Sequence, residues 1–231
     1  MTYIKVVSVG KRYSMRESLK ERLHRMLSLQ KGKRILWALE DVSFSVKSGE
    51  IVGVIGKNGS GKSTLLKLIA QVTEPTKGSI EIGGKVGALL EAGVGLHSEL
   101  SGRDNIYFLG ALLGMKKRET EAKLDQIVDF SGISPFLDDP LKKYSSGMAI
   151  RLAASVMLHL DTDILILDEV LSIGDKSFQD QCSTKMQEVA KAGKIILCVS
   201  HHTEWMRKYW HRELLLEKGT LISDKKNSDY P

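Results

Sequence analysis

The sequence lacks any long uninterrupted run of apolar residues, although 42% of its 231 residues are hydrophobic. A helix that crosses a bilayer needs about 18 or more such residues in succession, so we expect no membrane-spanning segment. The opening stretch from Met1 to Val7 also lacks the basic and then apolar layout of a secretory signal. These absences favour a globular chain that stays in the cytoplasm.

Cysteine is scarce, with only Cys182 and Cys198 in the whole chain. Their spacing matches no metal-binding pattern and offers no disulfide framework, so we expect two reduced, buried thiols. Internal repeats and low-complexity tracts are also missing, which excludes a solenoid or a fibrous protein. What remains is an ordinary globular composition, of which 27% is charged.

The net charge of +6 is concentrated in one segment, because nine Lys or Arg and only two Glu lie between Lys11 and Arg34. Ser14 is a capping residue ahead of apolar positions with helical spacing, which predicts an amphipathic basic helix over 15–29 within an insert at 14–34. Three interpretations stay open: a solvated surface helix, contact with a membrane partner or anionic lipid, or contact with nucleic acid.

The rest of the chain alternates short apolar strands with helices, which predicts an α/β fold with a largely parallel sheet. The predicted strands are 3–9, 41–46, 51–55, 79–82, 86–90, 164–167, 195–199, 212–217 and 220–223. The predicted helices are 62–70 and 176–190, with a mostly helical region over 92–160. We expect a single domain made of a core (1–91 and 161–223), this helical region and a polar tail at 224–231.

Residues 56–63 match the P-loop pattern G-x-x-x-x-G-K-[ST], with a predicted strand before it and a helix after it. Glycines let backbone N–H groups turn towards phosphates, and the helix N-terminus adds a positive dipole. Lys62 is expected to reach the β- and γ-phosphates, and Ser63 to ligate Mg²⁺. The expected phosphate-binding residues are Gly56, Lys57, Asn58, Gly59, Ser60, Gly61, Lys62, Ser63 and Thr64.

Two acids, Asp168 and Glu169, follow the apolar run that begins at Ile164. In P-loop enzymes an Asp at the end of such a strand holds Mg²⁺. Glu169 is then placed to activate the attacking water as a general base. Together with the P-loop, this pair predicts an ATPase or GTPase rather than two solvated loop acids.

Three further segments resemble motifs of ABC proteins in the right order. Residues 144–148, Tyr-Ser-Ser-Gly-Met, resemble the signature motif, residues 171–175 resemble the D-loop, and residues 199–201 resemble the switch-histidine motif. The resemblance covers nearly the whole chain, which is identified as a member of the ABC ATPases. It implies a RecA-like P-loop core with an antiparallel β portion, an inserted helical subdomain at 92–160, and ATP with Mg²⁺.

The same resemblance implies how the protein works. Two copies sandwich ATP as a homodimer, so that Ser145, Ser146 and Gly147 of one copy face a γ-phosphate held by the other. The resemblance implies that His201 is the switch histidine. His202 follows it directly, and the alternative that His202 has this role stays open. Residues 93–115 correspond to the region that usually receives the membrane subunit.

At a finer level, residues 89–95, 99–106 and 174–179 look like ATP-binding subunits that export O-antigen, teichoic acid or capsule polysaccharides. This implies a lipid-linked polysaccharide as substrate, a polytopic membrane-spanning subunit as partner and a place on the cytoplasmic face of the inner membrane. A carbohydrate-binding domain, which longer O-antigen members carry, is not expected within this chain. Two alternatives are an exporter of another substrate and a soluble ATPase acting on nucleic acid, but we expect no direct nucleic-acid contact.

The Q-loop position departs from the family pattern, and the adenine contact has two candidates. No Gln lies between Gln71 and Gln126, so the usual Q-loop glutamine is missing and Glu91 stands near its place. Glu91 is either a contact to Mg²⁺ or its water, or a helix-edge acid without a role. For the aromatic residue that stacks on adenine, Tyr13 is the first candidate and Trp37 the competitor.

Overall fold

The computed structural model describes residues 1–14, 35–89, 95–168, 175–199 and 207–227. The strands are β1 (Tyr3–Ser14), β2 (Ile35–Lys47), β3 (Ile51–Ile55), β4 (Lys77–Gly83), β5 (Val86–Leu89), β6 (Ile164–Asp168), β7 (Ile195–Val199), β8 (Arg212–Glu217) and β9 (Thr220–Lys226). The helices are α1 (Lys62–Ile69), α2 (Gly102–Leu112), α3 (Lys117–Ser131), α4 (Ser146–Leu158) and α5 (Lys176–Lys191), with 3₁₀ turns at Ser134–Phe136 and Leu141–Lys143.

The larger sheet has the strand order β5-β6-β7-β3-β8-β9, in which every neighbouring pair is parallel except β8 with β9. Its central strands are short and fully buried, as the continuous apolar runs predict. The smaller sheet, β2-β1-β4, is antiparallel throughout. This is the α/β arrangement expected from the sequence, with an antiparallel portion beside a parallel core.

Two hydrophobic clusters lie on opposite faces of the parallel sheet. Because side chains alternate along a strand, Val52 and Val54 of β3 pack towards α1 and the antiparallel sheet, while Ile51 and Ile55 pack towards α2 to α5. The second of these clusters joins the helices between residues 102 and 158 to the sheet in a continuous core.

Several predicted elements are longer in the structure than in the sequence-based interpretation. The strand expected to end at Val9 continues to Ser14, so the predicted insert at 14–34 overlaps β1 by one residue. The strand expected to begin at Asp41 begins at Ile35, since the two segments pair with each other along this whole length. The predicted tail was also wrong at its start, because Asp224 belongs to β9 and pairs with β8.

Both cysteines are buried and neither forms a disulfide. Burial raises the pKa of the Cys182 thiol to about 12, so this thiol stays protonated and packs as a small apolar group. Within the described ranges, no helix combines the length and apolar character that crossing a bilayer requires. The predicted basic helix over 15–29 lies outside the described residues.

Candidate functional site

The P-loop connects β3 to α1 and turns through left-handed backbone conformations. Gly61, the residue before α1, has a φ of 106°, and Gly59 has a φ of 77°. A Cβ at Gly59 would meet no atom within 4 Å, so the loop opens there onto free space. Among the described residues no side chain caps the start of α1. The N-terminus of α1, where the helix dipole is positive, is therefore suited to bind an anion.

Lys62 is 6% exposed, yet its ammonium group remains at the loop. Its Nζ donates to the carbonyl oxygens of Gly56 at 2.6 Å and Lys57 at 3.1 Å. Ser60 is 4% exposed, and its Oγ is buried with no hydrogen-bond partner among the described residues. A buried cation, the N-terminus of α1 and an unpaired hydroxyl form a cradle that fits phosphate chemistry.

Contacts from distant parts of the chain fix this loop from outside. The Gly219 N–H, in the turn between β8 and β9, donates to the Ser60 carbonyl at 3.0 Å, and the Glu40 N–H donates to the Gly219 carbonyl at 2.8 Å. A Cβ at Gly61 would lie 2.6 Å from the Ala38 carbonyl oxygen of β2. The sequence-based interpretation missed these supports, because nothing in the local pattern of the P-loop indicates them.

The strands that carry the remaining predicted motifs end at the same edge of the parallel sheet as β3. Asp168 at the end of β6 pairs with Val199 at the end of β7, and Val54 of β3 pairs with Val199 from the other side. Strands are spaced ~4.8 Å apart, so the backbones at Asp168 and Val54 are ~10 Å apart. Parallel sheets bind ligands in the crevice beyond this edge.

Three predicted site residues, Glu91, Glu169 and His201, lie outside the described residues. For Asp168, which is the last residue of β6, the structure describes the backbone. Their roles therefore remain predictions that rest on the sequence and on where the flanking strands end.

The predicted signature residues begin α4. Ser145 caps this helix, because its Oγ accepts from the Met148 N–H at 3.2 Å. Ser145 and Ser146 are exposed and Gly147 is half-buried, so the helix start is open to a ligand. The Tyr144 hydroxyl donates to the Phe136 carbonyl at 2.7 Å, and burial together with nearby Asp residues raises the pKa of Tyr144.

The two candidates for the adenine contact lie on opposite faces of the antiparallel sheet. Residues directly opposite in an antiparallel pair share a face, and Tyr13 pairs with Leu36 whereas Arg12 pairs with Trp37. A Cβ at Gly10 would lie 3.0 Å from the Trp37 ring, so the ring packs closely over this glycine. The Lys77 Nζ lies 5.1 Å from the centroid of the Trp37 ring.

Tyr13 shares its face with Lys11, two residues earlier. The Lys11 Nζ lies 5.3 Å from the Tyr13 ring centroid and donates to the Thr73 Oγ1 and the Glu74 carbonyl, both at 2.7 Å. Thr73 and Glu74 follow α1, the helix that the P-loop begins. Tyr13 is 40% exposed on this face of the sheet, and its choice over Trp37 as the adenine contact stays a prediction.

A family model for the ABC transporter matches residues 39–172, more than half of the chain. The chain belongs to the ABC transporter family. It is accordingly an ATPase that binds ATP. The matched range begins within β2, contains the P-loop and the signature helix, and ends just after Asp168, which confirms the resemblance that the sequence motifs indicated.

Proteins with related sequences have export roles in their names. An O-antigen export system ATP-binding protein of Klebsiella pneumoniae is 45% identical over 197 residues, which cover 85% of this chain and 80% of that protein. A teichoic acids export ATP-binding protein of Lactococcus lactis is 42% identical over 194 residues, covering 84% of this chain and 41% of that protein.

Solved structures confirm the fold. An ATP-binding subunit of an ABC transporter superposes with a TM-score of 0.81 at 24% identity, covering 99% of this chain and 91% of the other. A dimeric ATP-binding cassette in a post-hydrolysis state with ADP and Pi has a TM-score of 0.79 at 21% identity and covers 96% of this chain and 98% of that one. The predicted P-loop NTPase fold is correct.

Proposed function

We propose that this chain is the ATP-hydrolysing subunit of an ABC transporter that exports a lipid-linked polysaccharide. The observation that carries the proposal is the 45% identity to an O-antigen export ATP-binding protein over 85% of this chain. The second relative, which exports teichoic acids, is also named for a cell-surface polymer.

The nucleotide site combines the P-loop with the edge of the parallel sheet. The loop N–H groups and Lys62 bind the phosphates, and Tyr13 stacks on the adenine ring. Mg²⁺ fits the oxygen donors that the chain offers, the Ser63 hydroxyl and the Asp168 carboxylate, which are of the kind this ion prefers. When bound, it neutralises charge on the phosphate oxygens.

Glu169 follows the strand that ends at Asp168, and its role in the proposal is to take a proton from the attacking water. His201 follows β7, the strand between β6 and β3, and contacts the γ-phosphate region from there. Glu91 comes two residues in sequence after β5, which is the edge strand of the same sheet. In this position it is either a contact to Mg²⁺ or its water, or an acid without a role.

A homodimer completes each site in this proposal. The exposed start of α4, with Ser145, Ser146 and Gly147, contacts the γ-phosphate of ATP held by the second copy. The Ser145 Oγ already accepts a hydrogen bond from the Met148 N–H, but its own proton remains available to donate to a phosphate. The positive end of the α4 dipole adds to this attraction.

The polytopic membrane subunit docks, in this proposal, on the exposed apolar face of α2. Phe108 is 45% exposed and Leu112 is 60% exposed, and the two lie one helical turn apart with exposed Ala111 between them. Neighbouring exposed apolar side chains on one helix face are typical of an interaction surface. Docking there holds the chain at the cytoplasmic face of the inner membrane, where the basic segment 14–34 is available to contact anionic lipid.

Export can be tested in cells from which the gene for this chain has been deleted. Surface glycan should disappear from intact cells, as measured by labelling with a membrane-impermeant hydrazide after mild periodate oxidation. The lipid-linked glycan should accumulate inside and become labelled only after lysis. Re-expression of the wild-type chain should restore surface labelling, and Glu169→Gln should not. Unchanged surface glycan in the deletion strain would refute the substrate class, while leaving the ATPase assignment in place.

A further inference from the structure

The hairpin of β8 and β9 lies against the P-loop at two places. A Cβ at Gly56, where the loop begins, would lie 2.3 Å from the Leu216 carbonyl oxygen of β8. The turn of the same hairpin reaches the far part of the loop, since the Gly219 N–H donates to the Ser60 carbonyl at 3.0 Å. A unit that comes much later in the chain therefore supports the loop that follows β3.

The turn of this hairpin has a conformation that few residue types adopt. The paired residues Glu217 and Thr220 flank it. Its two central residues, Lys218 and Gly219, have φ angles of 47° and 84°. Positive φ at both central residues is typical of the type I′ turn, which fits the twist of a hairpin. A Cβ at Gly219 would also lie 2.9 Å from the Ala38 carbonyl oxygen of β2, so both the backbone conformation and the close packing require glycine here.

Gly219 is also held from its other side by β2. The Glu40 N–H of β2 donates to the Gly219 carbonyl at 2.8 Å, and Gly219 is buried. The acceptor of this one residue is therefore used on β2 and its donor on the P-loop. Because β2 pairs with β1 along its length, the antiparallel sheet and the hairpin together fix the position of the Gly219 N–H.

The Gly219 N–H determines the orientation of the peptide group between Ser60 and Gly61. The C=O and N–H groups of a trans peptide point in opposite directions, and no cis peptide bond occurs among the described residues. Because the Ser60 carbonyl is held towards the hairpin, the Gly61 N–H points away from the hairpin. Gly61 directly precedes α1 and Lys62, so this N–H belongs to the part of the loop that is expected to bind phosphate.

From this geometry we infer that Gly219 is a positioning residue for ATP binding, because its N–H holds the Ser60–Gly61 peptide so that the Gly61 N–H faces a phosphate oxygen. The inference rests on the proposed phosphate-binding role of the P-loop. Without this hydrogen bond the peptide group can rotate, because a glycine at position 61 allows many backbone conformations. Part of the binding free energy is then used to order the peptide, and binding becomes weaker.

The test measures the affinity of Gly219→Ala for Mg–ADP and for inorganic tripolyphosphate, each in competition with a fluorescent ADP analogue. The added Cβ meets the Ala38 carbonyl oxygen and displaces the turn from the P-loop. Both dissociation constants should rise by roughly 10-fold, the effect of losing one hydrogen bond to a charged group. Gly219→Asn is the second variant and should show the same change, because Asn tolerates a positive φ while its Cβ meets the same oxygen.

Gly49→Ala, in the turn between β2 and β3, is the control for backbone strain. Gly49 has the same φ of 84°, and a Cβ there would lie 3.3 Å from the Ala190 carbonyl oxygen. This turn precedes the start of β3, whereas the P-loop follows the end of that strand. The control should therefore lower the melting temperature, as the Gly219 variants do, and keep the wild-type dissociation constants.

The amide proton of Gly61 gives a direct readout in the folded wild-type chain. In protein labelled with ¹⁵N-glycine, its resonance should move downfield when Mg–ADP binds, because a hydrogen bond to a phosphate oxygen deshields the amide proton. The same change should be smaller in Gly219→Asn. A residue that only stabilises the fold would lower the melting temperature without altering this shift.

Wild-type affinity for tripolyphosphate in both Gly219 variants would overturn the inference, and so would a Gly61 resonance that Mg–ADP does not move. Weaker binding of Mg–ADP alone would also overturn it, because the effect would then act on the adenine through β2. An equal loss of affinity in Gly49→Ala would mean a general effect of strain, with the same consequence. Normal binding of Mg–ADP to Lys62→Ala would instead count against the proposed phosphate-binding role of the P-loop.

Discussion

The ammonium group of Lys62 donates to the carbonyl oxygen of Gly56 at 2.6 Å, across the full width of the P-loop. The start of the phosphate-binding loop is therefore held to the start of α1 by the side chain that is expected to bind the terminal phosphates. A phosphate attracts a cation more strongly than a carbonyl oxygen does, so we expect bound ATP to compete with Gly56 for the Lys62 ammonium group.

Replacing Lys62 with Ala should abolish both ATP binding and ATP hydrolysis, because the substitution removes the positive charge and the hydrogen bond to the Gly56 carbonyl. Equilibrium binding of a fluorescent ATP analogue with Mg²⁺ measures the first effect. The matched control is Lys67→Ala, five residues further along α1 and outside the loop, which should bind as wild type does. Unchanged affinity of Lys62→Ala would refute the assignment of the P-loop.

Replacing Glu169 with Gln should leave ATP binding intact and reduce turnover by roughly 10²- to 10⁴-fold, the range for loss of a general base. Phosphate release under saturating ATP is the measurement. Glu188→Gln, on the exposed side of α5, serves as the control and should hydrolyse ATP at the normal rate. A rate for Glu169→Gln within threefold of wild type would mean that another group activates the water.

The separation of Tyr13 and Trp37 onto two faces of the sheet predicts different effects of their removal. Tyr13→Ala should weaken ATP binding by roughly 5- to 150-fold, since stacking of a base on an aromatic ring contributes ~1–3 kcal/mol. Trp37→Ala should leave the dissociation constant unchanged. Titration of both variants with ATP, and with a triphosphate that lacks the base, measures the effect. The reverse ranking would show that the adenine lies on the other face.

If the membrane subunit docks on the exposed face of α2, charged substitutions on that face should prevent its binding without reducing ATP hydrolysis. Phe108→Asp together with Leu112→Asp should keep the ATPase rate of the isolated chain and abolish its co-purification with the membrane subunit, because charges replace the apolar contact. Ile222→Asp is the control, since Ile222 is 57% exposed on β9 and belongs to neither α2 nor a nucleotide motif. Normal co-purification of the α2 variant would place the docking surface elsewhere.

The contact between Gly53 and Trp210 predicts an effect on stability rather than on function. A Cβ at Gly53 of β3 would lie 2.2 Å from the ring of Trp210, which is fully buried. Gly53→Ala should therefore lower the free energy of unfolding by ~1–3 kcal/mol through overpacking. In the Trp210→Phe background the same substitution should cost less, because the smaller ring leaves room. Urea denaturation of the four proteins measures the coupling.

The centres of the buried elements could be predicted from the sequence, and their ends could not. The run of residues 51–55 is apolar throughout, and the P-loop pattern after it fixes where α1 begins, so both were placed correctly at that junction. The end of β1 was missed by five residues, because the alternation of apolar residues stops at Val9. Beyond Val9 the strand continues through backbone pairing with β2, which does not depend on side-chain type.

The sequence by itself determined the chemistry of the site, because the P-loop, the acid pair at 168–169 and the signature are local patterns whose spacing is a property of the chain. Tertiary structure alone decided that Tyr13 and Trp37 lie on opposite faces of the sheet, since an extra residue, Ala38, between the paired positions of β2 places Trp37 opposite Arg12. It also decided that Arg151 meets Asp175, 24 residues away. Such contacts arise where two helices pack, and the helix crossing is set by the whole core rather than by either segment.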